Sequence, residues 1–238
     1  MDGQNVVLNV PVSEFLADVS SISLALSRAF ERAGPSLGKQ WRVTQAFRRA
    51  GLGGELLDSL ASPDLQRKIS AARLCGALRF GEAVPWLADL LGDPSPEVQN
   101  AAMRALGATG GGRAVEALVE AADRLPCSRL SIELSRAASD VDLEALLRRP
   151  GPVRITSAVV TACGLRGDVL RVPRLTSMAQ DRRCDSKLRV AACRALSMIR
   201  DPSTAEVMRS LATDPDGEVR AAAGRARMRI NFARHRQR

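Results

Sequence analysis

Glu97-Val98-Gln99-Asn100-Ala101-Ala102-Met103-Arg104-Ala105-Leu106 returns 121 residues later as Glu218-Val219-Arg220-Ala221-Ala222-Ala223-Gly224-Arg225-Ala226-Arg227, with diverged copies in between. Within the first stretch Val98, Ala101, Ala102, Ala105 and Leu106 follow the i, i+3, i+4, i+7, i+8 spacing of a helix with one apolar side. The small alanines allow neighbouring helices to approach closely. Self-similarity at a fixed period is the signature of a repeat array, which is built as a continuous surface for holding a partner.

An apolar anchor opens each Ala-rich copy: Ile69, Val98, Val153, Leu188 and Val219, at spacings of 29, 55, 35 and 31 residues. The 55-residue gap is nearly two units long, so one degenerate copy is expected around Leu130 to Leu147. A unit of about 30 residues accommodates two helices of roughly 11 to 12 residues with short turns. The pattern predicts helical hairpins. Gly110-Gly111-Gly112 separates the first helix of its copy from a second with the same spacing (Ala114, Val115, Leu118, Val119, Ala122). Gly81, Gly167 and Asp201-Pro202 break other copies at the same place. Between copies stand Gly92-Asp93-Pro94, Pro150-Gly151-Pro152 and Asp214-Pro215-Asp216-Gly217, where Pro and Gly end one helix and Asp caps the next. Alternating strand-like patterning is confined to Val6 to Val12.

These residues resemble the HEAT repeats, in particular the short variety of phycobilin-lyase-like HEAT proteins. The likeness rests on Asp93-Pro94 followed by Val98, Ala101-Ala102 and Leu106-Gly107. Ala83-Val84-Pro85-Trp86-Leu87 and Arg171-Val172-Pro173-Arg174-Leu175 carry it on second helices. It spans about residues 40 to 230 and implies an all-α, armadillo-like α-solenoid, a superhelical array of about five to six hairpins. The corresponding organisation is an N-terminal segment with a capping helix (1–37), the repeat array (38–230) and a basic C-terminal tail (231–238), one continuous array rather than two domains. Trp41, Val43, Phe47, Ala50, Leu56, Leu57 and Leu60 form a worn first hairpin. The helix expected over 13–33 carries Phe15, Leu16, Val19, Ile22, Leu26 and Phe30. Asp18 and five serines interrupt it, so it reads as a soluble cap and not as a transmembrane or signal segment.

Chemistry has little to work with. The chain has one histidine, His235, and no tyrosine, and no P-loop, G-x-G-x-x-G or G-x-S-x-G pattern occurs. Five cysteines (Cys75, Cys127, Cys163, Cys184, Cys193) lack paired metal-ligand spacing and read as small core residues in a reducing cytoplasm. No catalytic residue, metal or cofactor is expected. The deoxyhypusine hydroxylases, which are HEAT-like, hold two irons through His-Glu pairs that this chain lacks. The HEAT-like alkylpurine DNA glycosylases use tryptophans and an acid on a basic concave surface. Here Trp41 and Trp86 match no such motif, and Trp86 reads as a filler of its hairpin, leaving glycosylase-like repair a distant third reading. Bilin lyases share only the repeat.

Charge points outward. Residues 1–147 hold 15 Lys or Arg against 18 Asp or Glu, whereas residues 148–238 hold 20 against 8, so the net +9 is a step from −3 to +12. Such a step at a pI of about 10.5 points to an acidic partner such as nucleic acid, an acidic protein or an anionic membrane surface. Arg154, Arg189 and Arg220, each after an anchor, and Arg104, Arg194 and Arg225, each six residues after one, recur at repeat positions and are expected to serve the scaffold. In the HEAT repeats they resemble, an Arg of this sort pairs with the Asp of a neighbouring turn, which makes Asp93, Asp185 and Asp214 the expected partners in a ladder along the edge. Arg171, Arg174 and Arg209 fall on second helices, which in HEAT arrays line the concave face. Together with Arg234 and Arg236 of the acid-free tail they are the expected partner contacts. The function expected is a non-enzymatic scaffold for protein–protein interaction, with nucleic-acid binding by a basic concave surface in the C-terminal half as the alternative.

Overall fold

In the computed structural model the described residues are 44, 45, 47–49, 51–149 and 151–235. The expected capping helix over 13–33, Trp41, Val43 and Ala50 lie outside them, as do Arg236 and the end of the tail. The described chain is all-α and clusters into two compact units, one ending at Ala105 and the other beginning at Leu106.

In the first unit, residues 44, 45 and 47–49 are helical and precede α1 (Leu52–Leu60). Then come α2 (Leu65–Leu78) and the short α3 (Val84–Asp89), which a 3-10 turn over Gly81–Ala83 introduces. Pro85 sits in the first turn of α3, where its missing N–H has no helical acceptor to lose. The worn first hairpin is real. Phe47, Leu56 and Leu60 are buried, Thr44 Oγ1 donates to the Leu78 carbonyl at 2.7 Å, and Phe47 meets Phe80 edge to face at 6.3 Å. Trp86 departs from the sequence reading. It is 39% exposed, so it fills the hairpin only in part.

Helix α4 (Pro96–Thr109) contains the division between the units. The second unit continues with α5 (Gly112–Glu120), α6 (Cys127–Ala137), α7 (Asp140–Arg148), α8 (Val153–Arg166), α9 (Val172–Gln180), α10 (Ser186–Ile199), α11 (Ala205–Leu211) and α12 (Gly217–His235). The degenerate copy is the α6–α7 hairpin. Its second helix starts in a capping box, Ser139 accepting from Asp142 N–H while Asp142 accepts from Ser139 N–H. First helices α6, α8, α10 and α12 pack in sequence, each against the next, and second helices lie on the neighbouring layer. Leu134, Leu143, Val159, Leu175, Leu196, Met208 and Ala223 are buried between them. Asp64 and Asp185 cap α2 and α10 by accepting from Arg67 N–H and Lys187 N–H at 2.7 and 2.8 Å. Gly167 ends α8 at φ +68°, a left-handed conformation in which glycine carries no Cβ penalty.

The caps reset two anchors. Helix α8 begins directly after its cap Pro152, so Ile155, not Val153, stands where Leu188 does. Helices α2 and α10 both begin directly after their capping aspartates, so Lys68 corresponds to Arg189 and Ile69 to Val190. Arg67 therefore stands where Leu188 does, and Ile69 is not the register equivalent of Val98.

Candidate interaction surface

Two ion pairs share one geometry. Lys68 Nζ meets Asp93 Oδ2 at 2.7 Å, and the Arg189 guanidinium grips both Asp214 oxygens, with Nη1 3.1 Å from Oδ1; each pair joins residues 25 apart. Side-chain exposure is 5% for Arg189 and 3% for Asp214, and Arg189 Nε also donates to the Ala179 carbonyl at 3.0 Å. Hydrogen bonding from Arg189 holds the Asp214 carboxyl below its ordinary range, and Lys68 does the same to Asp93. The expected arginine–aspartate ladder thus exists at Arg189. At its other rungs it takes a different form. Arg154 donates to the carbonyls of Ala122 and Leu125, Arg220 to those of Asp214 and Pro215, and Asp185 is spent as a cap.

The second-helix arginines are engaged internally. Arg171 belongs to the 3-10 turn before α9, in the place that buried Ala83 takes before α3. Only 12% of its side chain is exposed, with Nε 3.3 Å from Glu144 Oε2 and 3.7 Å from Asp168 Oδ2, and Nη2 donates to the Asp140 carbonyl at 2.7 Å. Its charge is consumed inside the fold. Arg174 is exposed on α9 and donates to the Leu147 carbonyl at 3.3 Å. Arg209 is exposed on α11 and pairs with Glu206 one turn earlier. Arg234 falls within α12, its side chain outside the description, and Arg236 lies beyond the described residues.

Further cations without a side-chain partner stand on the first helices. Helices α8 and α10 contain no acidic residue, and α12 contains only Glu218. Lys187, Arg194 and Arg200 at α10, and Arg225, Arg227 and Arg229 on α12, are exposed and have no side-chain partner among the described residues. Arg104, Arg194 and Arg225, expected to serve the scaffold, are all exposed and without a side-chain partner among the described residues. Sequence reasoning passed over them because recurrence marks a repeat position without saying which way it faces. The missed signal was the shortage of acids on these three first helices. Ile132 on α6, Leu165 on α8 and Met228 on α12 add exposed apolar surface (44%, 47% and 67%) to the first-helix face.

Buried thiols carry no reactivity here. Desolvation pushes Cys75 and Cys163 up to about 12 and Cys193 to about 11, so at neutral pH they remain protonated and non-nucleophilic. Among the described residues no group of acids, cysteines or histidines has the geometry of a metal site, and no helix is long and apolar enough to cross a membrane.

A family profile described as HEAT repeats matches residues 55–129 and 141–228. Similar solved structures include an archaeal HEAT-like repeats protein from Thermococcus onnurineus, 13% identical over 94% of this chain and 99% of that one, with a TM-score of 0.47. Human deoxyhypusine hydroxylase is 18% identical over 93% and 98%, with a TM-score of 0.40. An engineered protein is 21% identical over 94% and 93%, with a TM-score of 0.37. A search of curated proteins returns no match.

Proposed function

This chain belongs to the family of HEAT-repeat proteins, and from that premise we propose that it is a non-enzymatic scaffold that holds an acidic protein partner on the first helices of its second unit. The observation that carries this reading is the set of exposed cations at Lys187, Arg194, Arg200, Arg225, Arg227 and Arg229, without a side-chain partner among the described residues, on helices nearly devoid of acid. Exposed Leu165 and Met228 favour a protein over a bare polyanion, since arginine and methionine beside apolar surface are enriched at protein interfaces. Arg174 and Arg209 on the second helices, each able to exchange its present bond for a partner carboxylate, and Arg234 and Arg236 of the acid-free tail are proposed as further contacts. Arg171, enclosed by Glu144 and Asp168, serves the turn. Buried, protonated cysteines suit a reducing, cytoplasmic setting.

The test is a fluorescence titration of the full chain and an Arg194→Ala/Arg225→Ala/Arg229→Ala variant against polyglutamate and random duplex DNA over a range of salt. Polyglutamate should bind the wild type, weaken at least tenfold in the variant, and show a modest salt dependence set by screening. Tighter binding of duplex DNA, with a logarithmic slope of roughly −0.9 per phosphate contacted, would replace the protein partner with nucleic acid. Binding of neither probe at low salt would remove the partner assignment altogether.

A further inference from the structure

First helices in this chain close against one another through a fixed register position. A Cβ added to Gly76 of α2 would lie 2.9 Å from Ala105 Cα, and one on Gly164 of α8 only 2.7 Å from Ala195 Cα. Gly107 of α4 stands equally tight against Glu133. In α10 the same position is Ser197, also buried. The capping aspartates Asp185 and Asp216 are 31 residues apart, so Val190, Cys193 and Ser197 of α10 correspond to Ala221, Gly224 and Met228 of α12. The first three are buried. By contrast Ala221 is exposed, Met228 is 67% exposed, and a Cβ on Gly224 would meet nothing within 4 Å. Among the described residues, helix α12 thus has nothing on the face with which the other first helices of its unit meet a following helix.

The charge around that face says what chemistry covers it. At about 100° per residue, Arg225 and Arg229 border the Ala221–Gly224–Met228 stripe on one side, with Arg220 and Arg227 on the other. Arg225, Arg227 and Arg229 have no partner among the described residues. A second copy seated here face to face would set the same arginines against each other, since a two-fold contact pairs like with like. We propose that this face docks an acidic amphipathic helix of a partner protein, seated as a following first helix would be. Small apolar residues of that helix pack on Gly224 and Met228, and its flanking carboxylates meet Arg225 and Arg227. The assignment rests on the acidic-partner reading above and narrows it to one helix face.

Two fluorescein-labelled peptides of identical composition separate the two readings. One carries an Ala/Leu stripe flanked by Glu on helical spacing; the other has the same residues shuffled so that no stripe forms. The full chain should bind the striped peptide at least tenfold tighter than the shuffled one. Gly224→Leu, which meets no described atom and should leave thermal unfolding no lower than wild type, should abolish that advantage while leaving the shuffled peptide unaffected. Arg225→Glu/Arg227→Glu should weaken both. Equal binding of the two peptides to the wild type, or an unchanged preference in Gly224→Leu, would overturn the helix-docking assignment and leave charge-driven binding intact. Binding of neither peptide would overturn both.

Discussion

Arg189 and Asp214 form the most enclosed ion pair among the described residues, and enclosure decides what its loss does. Removing one member of a buried pair leaves an uncompensated charge and typically costs about 3–5 kcal/mol, whereas the exposed Arg209–Glu206 pair is worth roughly 0–1 kcal/mol. Arg189→Ala should therefore lower the urea midpoint sharply while Glu206→Gln leaves it within error. Acid acts on the same bond. Asp214 and Asp93 both titrate below their unfolded value of about 3.9. Their contribution is complete above that value and is lost as pH falls through it toward the folded pKa. Urea midpoints should hold from pH 7 to 5 and fall below about pH 4. Asp214→Asn, weaker at pH 7, should fall less steeply.

At the scale of the helix, glycine means opposite things at two positions of the stacking face. Gly164→Ala drives a methyl into the Ala195 backbone and the Met198 side chain and should destabilise α8 against α10. Gly224→Ala meets no described atom within 4 Å and should stabilise α12 by about 0.5–1 kcal/mol, the usual helix preference of alanine. Opposite shifts in the urea midpoint check the pair, and equal shifts would mean that the stacking register is wrong. The hairpins themselves were legible in the sequence because burial imposes a helical period on Val98, Ala101, Ala102, Ala105 and Leu106. Even the worn copy at α6–α7 could be placed by counting. The register of α2 was not, since Arg67 occupies an anchor position and Ile69 offered itself instead. Nor was the facing of single arginines. Arg171 and Arg194 look alike in sequence, yet one lies among carboxylates and the other in solvent, because neighbours distant in the chain make that choice.

For the molecule as a whole, stability is a sum of hairpins and their contacts with neighbours. Leu106 is fully buried, so Leu106→Asp should open at least two adjacent hairpins, seen as faster hydrogen exchange and protease cleavage across α4 to α7; native-like protection would refute the packing described. A scaffold reading also expects no hydrolase, transferase or glycosylase turnover dependent on His235 or a cysteine. Turnover lost cleanly in His235→Ala would reverse it. The Lys68–Asp93 and Arg189–Asp214 clasps bear on how the chain responds to pulling. Each closes 25 residues into a loop that tension cannot peel turn by turn. Those two hairpins should yield abruptly, each freeing roughly 80–90 Å of contour at about 3.3–3.6 Å per residue, while hairpins without a clasp pay out their length smoothly under the same load.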